Sequence, residues 1–405
     1  MRLRLWNLYS LRLLAWAKGV CRMHGATSLR LARVVEGTVS IATGIPGLLA
    51  SPVPHDRELG FGLQALDTRA IAALLDRLSF HRLDGLAHRA VGRLPQEAID
   101  PWLRSALKRR AQRLAAATLS QALSLAEVLE ALERSRIPVV VMRGLRSVES
   151  IYGDPSLRPF EDHDLLVLPA DGVAARSALK RLGFEESAGC LYRRGGVLVD
   201  LHTDPLGARR RPSRDLLFPV PVRDLFERGT PGLVAGAPAL LLEPEDELLL
   251  LAIHLVKHSF DRLVRTADLA HYLFLNRGVL DWTLLARRAD SWGSSRVLGW
   301  ALQAAATLGV SLRSFDLPPA RDTSALERYL MGRVLALRPL PGTGEFLMAL
   351  AAPTFRARLI FLLGALWPES ERPHGVLGRT SALPRRVFHL AGGGMRQATE
   401  RRRLR

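Results

Sequence analysis

The chain has 405 residues, of which 48% are hydrophobic and 24% charged, with a formal net charge of +18. These proportions are those of a globular protein with room for two or three domains, and they exclude a disordered chain. The charge fits a protein that meets anionic partners such as nucleotides, nucleic acid or acidic lipid. Almost all of the basic residues are arginine, which a GC-rich coding sequence also favours, so the charge is weak evidence of function.

Cysteine content and hydropathy indicate the cellular compartment of the protein. Cys21 and Cys190 are too few and too far apart for a disulfide framework or a zinc site, which favours a reducing compartment. No run approaches the ~18 to 20 apolar residues of a membrane span. The basic start, residues 1–21, favours a loosely ordered extension or an amphipathic leader at a membrane surface over a secretory signal. We therefore predict a cytoplasmic protein.

Patterning along the chain predicts five regions. They are a basic N-terminal extension with a linker at "GIPGLLASPVP" (1–60), an N-terminal helical region (61–136), a core (137–236), a C-terminal helical domain (237–375) and a basic flexible tail (376–405). The helical assignments follow from apolar residues that recur three and four positions apart. The stretch 243–274, which opens with a proline and several acids, is predicted as helix, and helices continue from 281 to 310 and from 324 to 367.

The core has the pattern of a small sheet. "IPVVVM" (137–142) is a short β-branched run that ends near Gly144, and "DLLVL" (164–168) is a second buried run. "CLYRR" and "VLVDLHT" are strands joined at Gly195-Gly196, which is typical of a hairpin. With a helix after each of the first two strands, the order is β-α-β-α-β-β. We therefore predict an α+β protein with a mixed-sheet core between two helical regions.

Three carboxylates in this core need compensating charge. Asp162 and Asp164 share a face because residues i and i+2 of an extended segment do so. Asp200 lies inside an otherwise apolar strand, where an uncompensated charge is costly. If the strands of Asp164 and Asp200 are neighbours, all three carboxylates converge. Such a group suits Mg²⁺ or Mn²⁺, which take oxygen ligands, and two ions about 4 Å apart would serve phosphoryl or nucleotidyl transfer.

A glycine turn with arginines precedes the carboxylates. Gly144 stands where the first strand ends and a helix begins, a turn whose backbone N–H groups suit a triphosphate. Arg143 and Arg146 could neutralise that triphosphate, and Arg158 is either a substrate ligand or a structural clamp. This order of elements resembles the layout of the nucleotidyltransferase β superfamily.

The residues resemble one family in particular. "IPVVVMRGLRSVESIYGDPSLRPFEDHDLLV" resembles the core of the bacterial uncharacterised nucleotidyltransferase-like family, with matches at Gly144, Tyr152, Arg158-Pro159, Asp162 and Asp164-Leu165. "LGF", "VDLH" and the helix containing "IHLVKH" also match, so that the resemblance covers about residues 60–370. The family's lysine before the glycine is Arg143 here, and Glu161 and His163 replace the residues usual at their positions.

The resemblance implies transfer of a nucleoside monophosphate from an NTP to an unknown acceptor, which could be sugar- or glycan-linked. Asp162, Asp164 and Asp200 would bind the metals, and Arg143, Gly144, Arg146 and Arg158 would bind the nucleotide. His254 and His258 lie at i and i+4 on one helix, but without a glutamate between them packing or a polar seam facing the cleft is favoured. Two alternatives stay open: an Asp-x-Asp glycosyltransferase, and a non-enzymatic scaffold that binds RNA or an anionic membrane.

Overall fold

The computed structural model describes residues 44–188, 190–206, 217–312, 324–335, 340, 342–352 and 354–366. The predictions for the basic leader (1–21) and for the tail (376–405) lie outside these residues. None of the helices in the described ranges is both long and apolar enough to cross a membrane.

The helices before the sheet lie mainly where apolar periodicity predicts them. They are α1 (Ile45–Ala50), α2 (Asp56–Gln64), α3 (Thr68–His81), α4 (Asp84–Gly92) and the long α5 (Pro101–Arg134). Asp100 begins α5, because its side chain accepts hydrogen bonds from the backbone N–H groups of Trp102 and Leu103. Helix α5 then crosses the back of the core and leads directly into the first strand.

Seven strands form one mixed sheet. They are β1 (Val140–Val141), β2 (His163–Leu166), β3 (Glu185–Ala188), β4 (Leu191–Arg194), β5 (Val197–His202), β6 (Thr230–Val234) and β7 (Ala237–Leu241). Their order is β3-β4-β5-β2-β1-β7-β6. Strand β2 is parallel to β5 and β1 is parallel to β7, while the other neighbours are antiparallel. Between β1 and β2 lie the short α6 (Leu145–Ser147) and a π-turn (Val148–Tyr152), and α7 (Gly172–Arg181) follows β2.

The C-terminal helices cover one face of this sheet. They are α8 (Val222–Arg228) before the β6–β7 hairpin, and then α9 (Pro244–Lys257), α10 (Leu263–Leu275), α11 (Trp282–Ser291), α12 (Ser295–Ala306), α13 (Ala325–Leu335), α14 (Thr343–Ala351) and α15 (Phe355–Leu366). Val140, Met142 and Leu166 of the sheet share an apolar core with these helices and with α1 to α4. The opposite face, with Val141 and Leu165, packs on α5 and α7 in a separate core.

Two predictions about local structure were wrong. The linker predicted at residues 44–54 contains α1, because Pro46 fits the first turn of a helix and Leu49 and Ala50 are buried. The β6–β7 hairpin lies at the end of the proline- and arginine-rich stretch 205–236 and in the first residues of the region predicted as helical from 237, although no strand is predicted in either. Pro231 is tolerated because β6 is the last strand of the sheet.

The sheet is also larger than the predicted pattern, since β3 is a further strand and β7 pairs with β1 beyond residue 236. The predicted helix over 243–274 is divided into α9 and α10, with Ser259 and Phe260 at positive φ between them. The predicted domain boundaries stay predictions.

Candidate active site

The parallel pairing of β2 and β5 brings the three aspartates together. Asp164 lies directly opposite Asp200 in the register, so both side chains leave the same face of the sheet. Asp162 precedes β2 by one residue and lies on that face too. One carboxylate oxygen from each of the three lies within 4.8 Å of the others. The convergence expected from strand alternation is therefore observed, while the role of these residues as metal ligands stays a prediction.

Arg143 and His202 are the partners of Asp164. The Arg143 guanidinium donates from Nη2 to Oδ1 at 2.7 Å and from Nε to Oδ2 at 2.9 Å. His202 Nε2 lies 3.1 Å from Asp164 Oδ1 and 3.3 Å from Asp200 Oδ2. All four side chains are buried. Arg143 and His202 therefore partly neutralise the negative charge of the three aspartates. The Arg143 guanidinium contacts both oxygens of Asp164.

The two acids of the Asp-x-Asp pair have opposite pKa shifts. Burial, and then the negative charge of Asp164, raises the pKa of Asp162. Burial also acts to raise the pKa of Asp164, but the charge and hydrogen bonds of Arg143 and His202 outweigh it and hold that pKa far below its ordinary value. Of these two acids, Asp162 is therefore the one for which the protein provides less compensating positive charge. A cation bound at Asp162 would stabilise the ionised carboxylate. This agrees with the prediction that Asp162, Asp164 and Asp200 bind a metal ion.

The sharp turn at Gly144 holds the Asp162 backbone against the end of β1. Gly144 has a φ of +66°, and a Cβ at this position would lie 2.7 Å from the carbonyl oxygen of Asp162. Two residues before this glycine, the Met142 N–H donates to the carbonyl of Asp164 at 3.0 Å. Any side chain at residue 144 would push this segment away, so glycine is required for the close approach.

The other two arginines predicted to bind nucleotide contact the C-terminal helices. Arg146 donates to Glu247 on α9 at 3.3 Å, and Arg158 donates to both oxygens of Asp268 on α10, most closely at 2.8 Å. The Tyr152 hydroxyl donates to Asp268 as well, at 2.8 Å. The clamp alternative for Arg158 matches this arrangement. A direct role of either arginine in nucleotide binding stays a prediction.

Sequence reasoning left one neighbour of the cluster out. Cys190 Sγ lies within 4.8 Å of donor atoms of Asp200 and His202. The available clue was the two-residue turn at Gly195-Gly196, which fixes the register of the β4–β5 hairpin and places Leu191 opposite Asp200. Counting back one residue along β4 from that pair leads to Cys190.

Comparison with known proteins identifies the family of the chain. The model of a family described as "Uncharacterised nucleotidyltransferase" matches residues 67–309, which is more than half of the chain. The chain belongs to this family, and the resemblance seen in its sequence is confirmed at that level. Among curated proteins there is no significant match.

One solved structure matches the fold weakly. It is an antigenic nucleotidyltransferase-like protein from Paracoccidioides brasiliensis, with 19% sequence identity and a TM-score of 0.29. The match covers 48% of this chain and 97% of that one.

Proposed function

We propose that the protein is a metal-dependent nucleotidyltransferase that moves a nucleoside monophosphate from an NTP to an acceptor hydroxyl in the cytoplasm. The observation that carries this proposal is the convergence of Asp162, Asp164 and Asp200 within 4.8 Å beside the Gly144 turn. In a member of this family, such a cluster next to a strand-to-helix turn favours binding of an NTP with Mg²⁺ or Mn²⁺. A sugar- or glycan-linked acceptor is the class we would test first.

The residues have separate tasks in this proposal. Asp162, Asp164 and Asp200 would hold the metal ions, which when bound would stabilise charge on the attacking and leaving oxygens. Asp200 would also orient or deprotonate the acceptor hydroxyl. The acceptor oxygen would bond to the α-phosphorus while the bond to pyrophosphate breaks. Arg143 would exchange its contact with Asp164 for one with the phosphates, and Gly144 allows the backbone to approach them.

The test is an assay of the purified full chain with each NTP and with Mg²⁺ or Mn²⁺, which measures pyrophosphate release and transfer of label. Asp164→Ala should lower the rate at least about a hundredfold, because it removes charge stabilisation of the transition state. Asp171→Ala, the same substitution at a partly buried residue before α7, is the control and should keep the rate. A similar rate in both variants would remove the carboxylate cluster from the chemistry.

A non-enzymatic scaffold is the second candidate, and one observation favours it. The bidentate Arg143–Asp164 pair supplies a cation inside the cluster, as a site that has lost its metal would. A scaffold would show no turnover with any NTP, yet would bind RNA or anionic lipid after loss of all three aspartates. The glycosyltransferase alternative receives no such support, because the described chain before β1 is helical where that class needs further strands.

A further inference from the structure

A second group of metal-binding atoms lies beside the three aspartates. Cys190 Sγ, a carboxylate oxygen of Asp200 and an imidazole nitrogen of His202 lie within 4.8 Å of one another. This group shares Asp200 with the predicted Mg²⁺ or Mn²⁺ ligands, but its other two donors are a thiol and an imidazole. Such donors favour Zn²⁺ and other thiophilic ions, whereas Mg²⁺ takes oxygen ligands. The two groups therefore suit different cations.

The β4–β5 hairpin holds the three residues together. Leu191, the first residue of β4, pairs with Asp200 on β5, and the backbone N–H of Leu201 donates to the carbonyl of Cys190 at 2.8 Å. This hydrogen bond fixes Cys190 immediately before β4, across from the end of β5 that carries His202. Two paired strands thus supply all three donors, and the group forms without the docking of a distant element.

The spacing within the group is close to that of zinc ligands. Oxygen and nitrogen ligands bond to Zn²⁺ at about 2.0–2.2 Å, so that two of them on a tetrahedral ion stand about 3.3–3.6 Å apart. Asp200 Oδ2 and His202 Nε2 are 3.3 Å apart. Cys190 Sγ, within 4.8 Å of the other donors, would need to approach them by no more than about 1.3 Å to form a Zn–S bond of about 2.3 Å.

The present partners of His202 are compatible with metal binding. An ionised carboxylate only accepts hydrogen bonds, so Nε2 carries the proton in its contacts with Asp164 and Asp200. A metal ion between Asp200 and the imidazole would take the place of that proton. Asp164 would lose one contact but keep both hydrogen bonds from Arg143, so its buried charge would stay paired.

The group is reachable from the side of Cys190. Asp200 and His202 are buried, whereas Cys190 is partly exposed in the turn before β4. A cation that arrives from solvent would therefore contact the thiol first and the two buried ligands next. Water would complete the coordination, because three protein ligands leave the fourth position of a tetrahedral ion open.

We propose that Cys190, Asp200 and His202 form a binding site for a thiophilic divalent cation, Zn²⁺. The sequence argument against zinc concerned a site built from the two cysteines, whereas this site combines one thiolate with an imidazole and a carboxylate, all of which bind zinc in proteins. Because Asp200 belongs to both groups, Zn²⁺ bound here would withdraw that carboxylate from the ions that serve nucleotidyl transfer. This consequence rests on the proposed function, but the metal site itself does not.

The test is titration of the metal-free, reduced full chain with Co²⁺, which substitutes for Zn²⁺ and gives a thiolate-to-metal charge-transfer band in the near ultraviolet. The wild type should show this band, and Zn²⁺ should displace the Co²⁺ and abolish it. Cys190→Ser should lose the band and weaken Zn²⁺ binding about a hundredfold or more, since even residues behind a ligand contribute about 10–100-fold. Cys21→Ser, which removes the other cysteine of the chain, is the matched control and should behave as the wild type does.

Two further variants separate this site from the three aspartates. His202→Gln should weaken Zn²⁺ binding as Cys190→Ser does, because it removes a second ligand. Asp162→Asn should bind Zn²⁺ as the wild type does, although it should lose most of the gain in melting temperature with Mg²⁺. Cys190→Ser should show the reverse, with the Mg²⁺ response kept and Zn²⁺ binding lost.

The outcomes distinguish this inference from the proposed function. A charge-transfer band that is absent from the wild type, or that persists in Cys190→Ser, would overturn the zinc site. Zn²⁺ binding that is lost in Asp162→Asn and kept in Cys190→Ser would put the ion among the aspartates, and it would overturn the inference while leaving the proposed function standing. Zn²⁺ binding that depends on Cys190 in a protein that turns over no NTP would support the site and count against nucleotidyl transfer.

Discussion

The two faces of the central sheet are closed in different ways, and the contrast begins at two adjacent residues. His163 points to the face that α5 and α7 cover, where it contacts Gln121 within an apolar core. Asp164 points to the other face, where Arg143 and His202 surround it. The first face contributes mainly apolar packing. The second is held to α9 and α10 by ion pairs and leaves Asp162 undercompensated, and the proposed chemistry lies on that side.

The largest change in stability should come from breaking the buried Arg158–Asp268 ion pair on the charged face of the sheet. Asp268→Ala leaves Arg158 buried without its carboxylate and removes the partner of Tyr152. Loss of one member of a buried pair costs about 3–5 kcal/mol of unfolding free energy, which denaturant unfolding would measure. Asp76→Ala, at an exposed aspartate of α3, is the control and should change stability by no more than about 0.5 kcal/mol. Equal losses in the two variants would show that the ion pair does not hold α10 on the core.

A truncation on the apolar face should destabilise without touching the site. Leu165 is fully buried between α5 and α7, and Leu165→Ala should cost about 2–5 kcal/mol through lost burial and a cavity. The gain in melting temperature on adding Mg²⁺ or Mn²⁺ should persist, because the side chain points away from the aspartates. Leu233→Ala, at an exposed leucine of β6, provides the control for stability. Loss of the metal response in folded Leu165→Ala would show that the two faces are coupled.

The difference between local and long-range contacts explains which parts of the site could be predicted from the sequence. Strand alternation was sufficient to place Asp162 and Asp164 on one face, because side-chain direction is a local property with period two. Asp200 joined them only on the condition that its strand lies beside β2, which the structure shows. The partners of Arg146 and Arg158 could not be found that way, since Glu247 and Asp268 lie 101 and 110 residues further along the chain. Those pairings depend on how α9 and α10 dock, which no local pattern encodes.

The missed strands have a different cause. β6 and β7 carry Pro231, Gly232 and Pro238, residues that are depleted in strands and suggest a loop. They pair because Ala235 and Gly236 both adopt positive φ, which suits a tight hairpin turn. β3 is short and polar at the other edge of the sheet, with Glu185 and Glu186 at its start. Edge strands need little apolar sequence, so apolar runs reveal the middle of a sheet before its edges.

Metal binding should stabilise the protein through the charged face of the sheet. Mg²⁺ or Mn²⁺ at about 100 times its Kd should stabilise the folded protein by about 2.7 kcal/mol, measured as a rise in melting temperature. Asp162→Asn should lose most of this gain, because burial and Asp164 leave the Asp162 charge in need of a cation. Glu186→Gln, on the exposed edge strand, should keep it. An equal gain in the two variants would contradict the assignment of Asp162 as a ligand.

Two histidines on opposite faces should show opposite pH trends in metal-free protein. Burial lowers the pKa of His163 to about 4, so its contribution to stability is lost as pH falls from about 6.5 toward 4, by up to about 1.4 kcal/mol per pH unit. Burial also acts to lower the pKa of His202, but hydrogen bonds to Asp164 and Asp200 raise it. The contribution of His202 is therefore complete below its unfolded pKa and is lost as pH rises through the folded one.

Unfolding of His163→Gln and His202→Gln at a series of pH values would measure both trends. The free energy of unfolding of His163→Gln, relative to that of wild type, should be higher at pH 5 than at pH 8. For His202→Gln this difference should be lower at pH 5 than at pH 8. The same trend in both variants would mean that the carboxylates do not set the charge state of His202.

The smallest expected change is also the one that decides what Arg143 does. Arg143→Lys replaces two hydrogen bonds to Asp164 by a single, mobile contact, and it should change the unfolding free energy by about 1 kcal/mol or less. If the guanidinium competes with a metal for Asp164, the looser ammonium should leave the metal-induced rise in melting temperature as large as in wild type or larger. Nucleotidyl transfer should be kept or increased for the same reason.

Arg146→Lys makes the same exchange at a residue whose partner is Glu247, and it should leave the metal response unchanged. A smaller metal response in Arg143→Lys alone would mean that the guanidinium shapes the carboxylate cluster rather than competing for it, and the scaffold candidate would then gain ground.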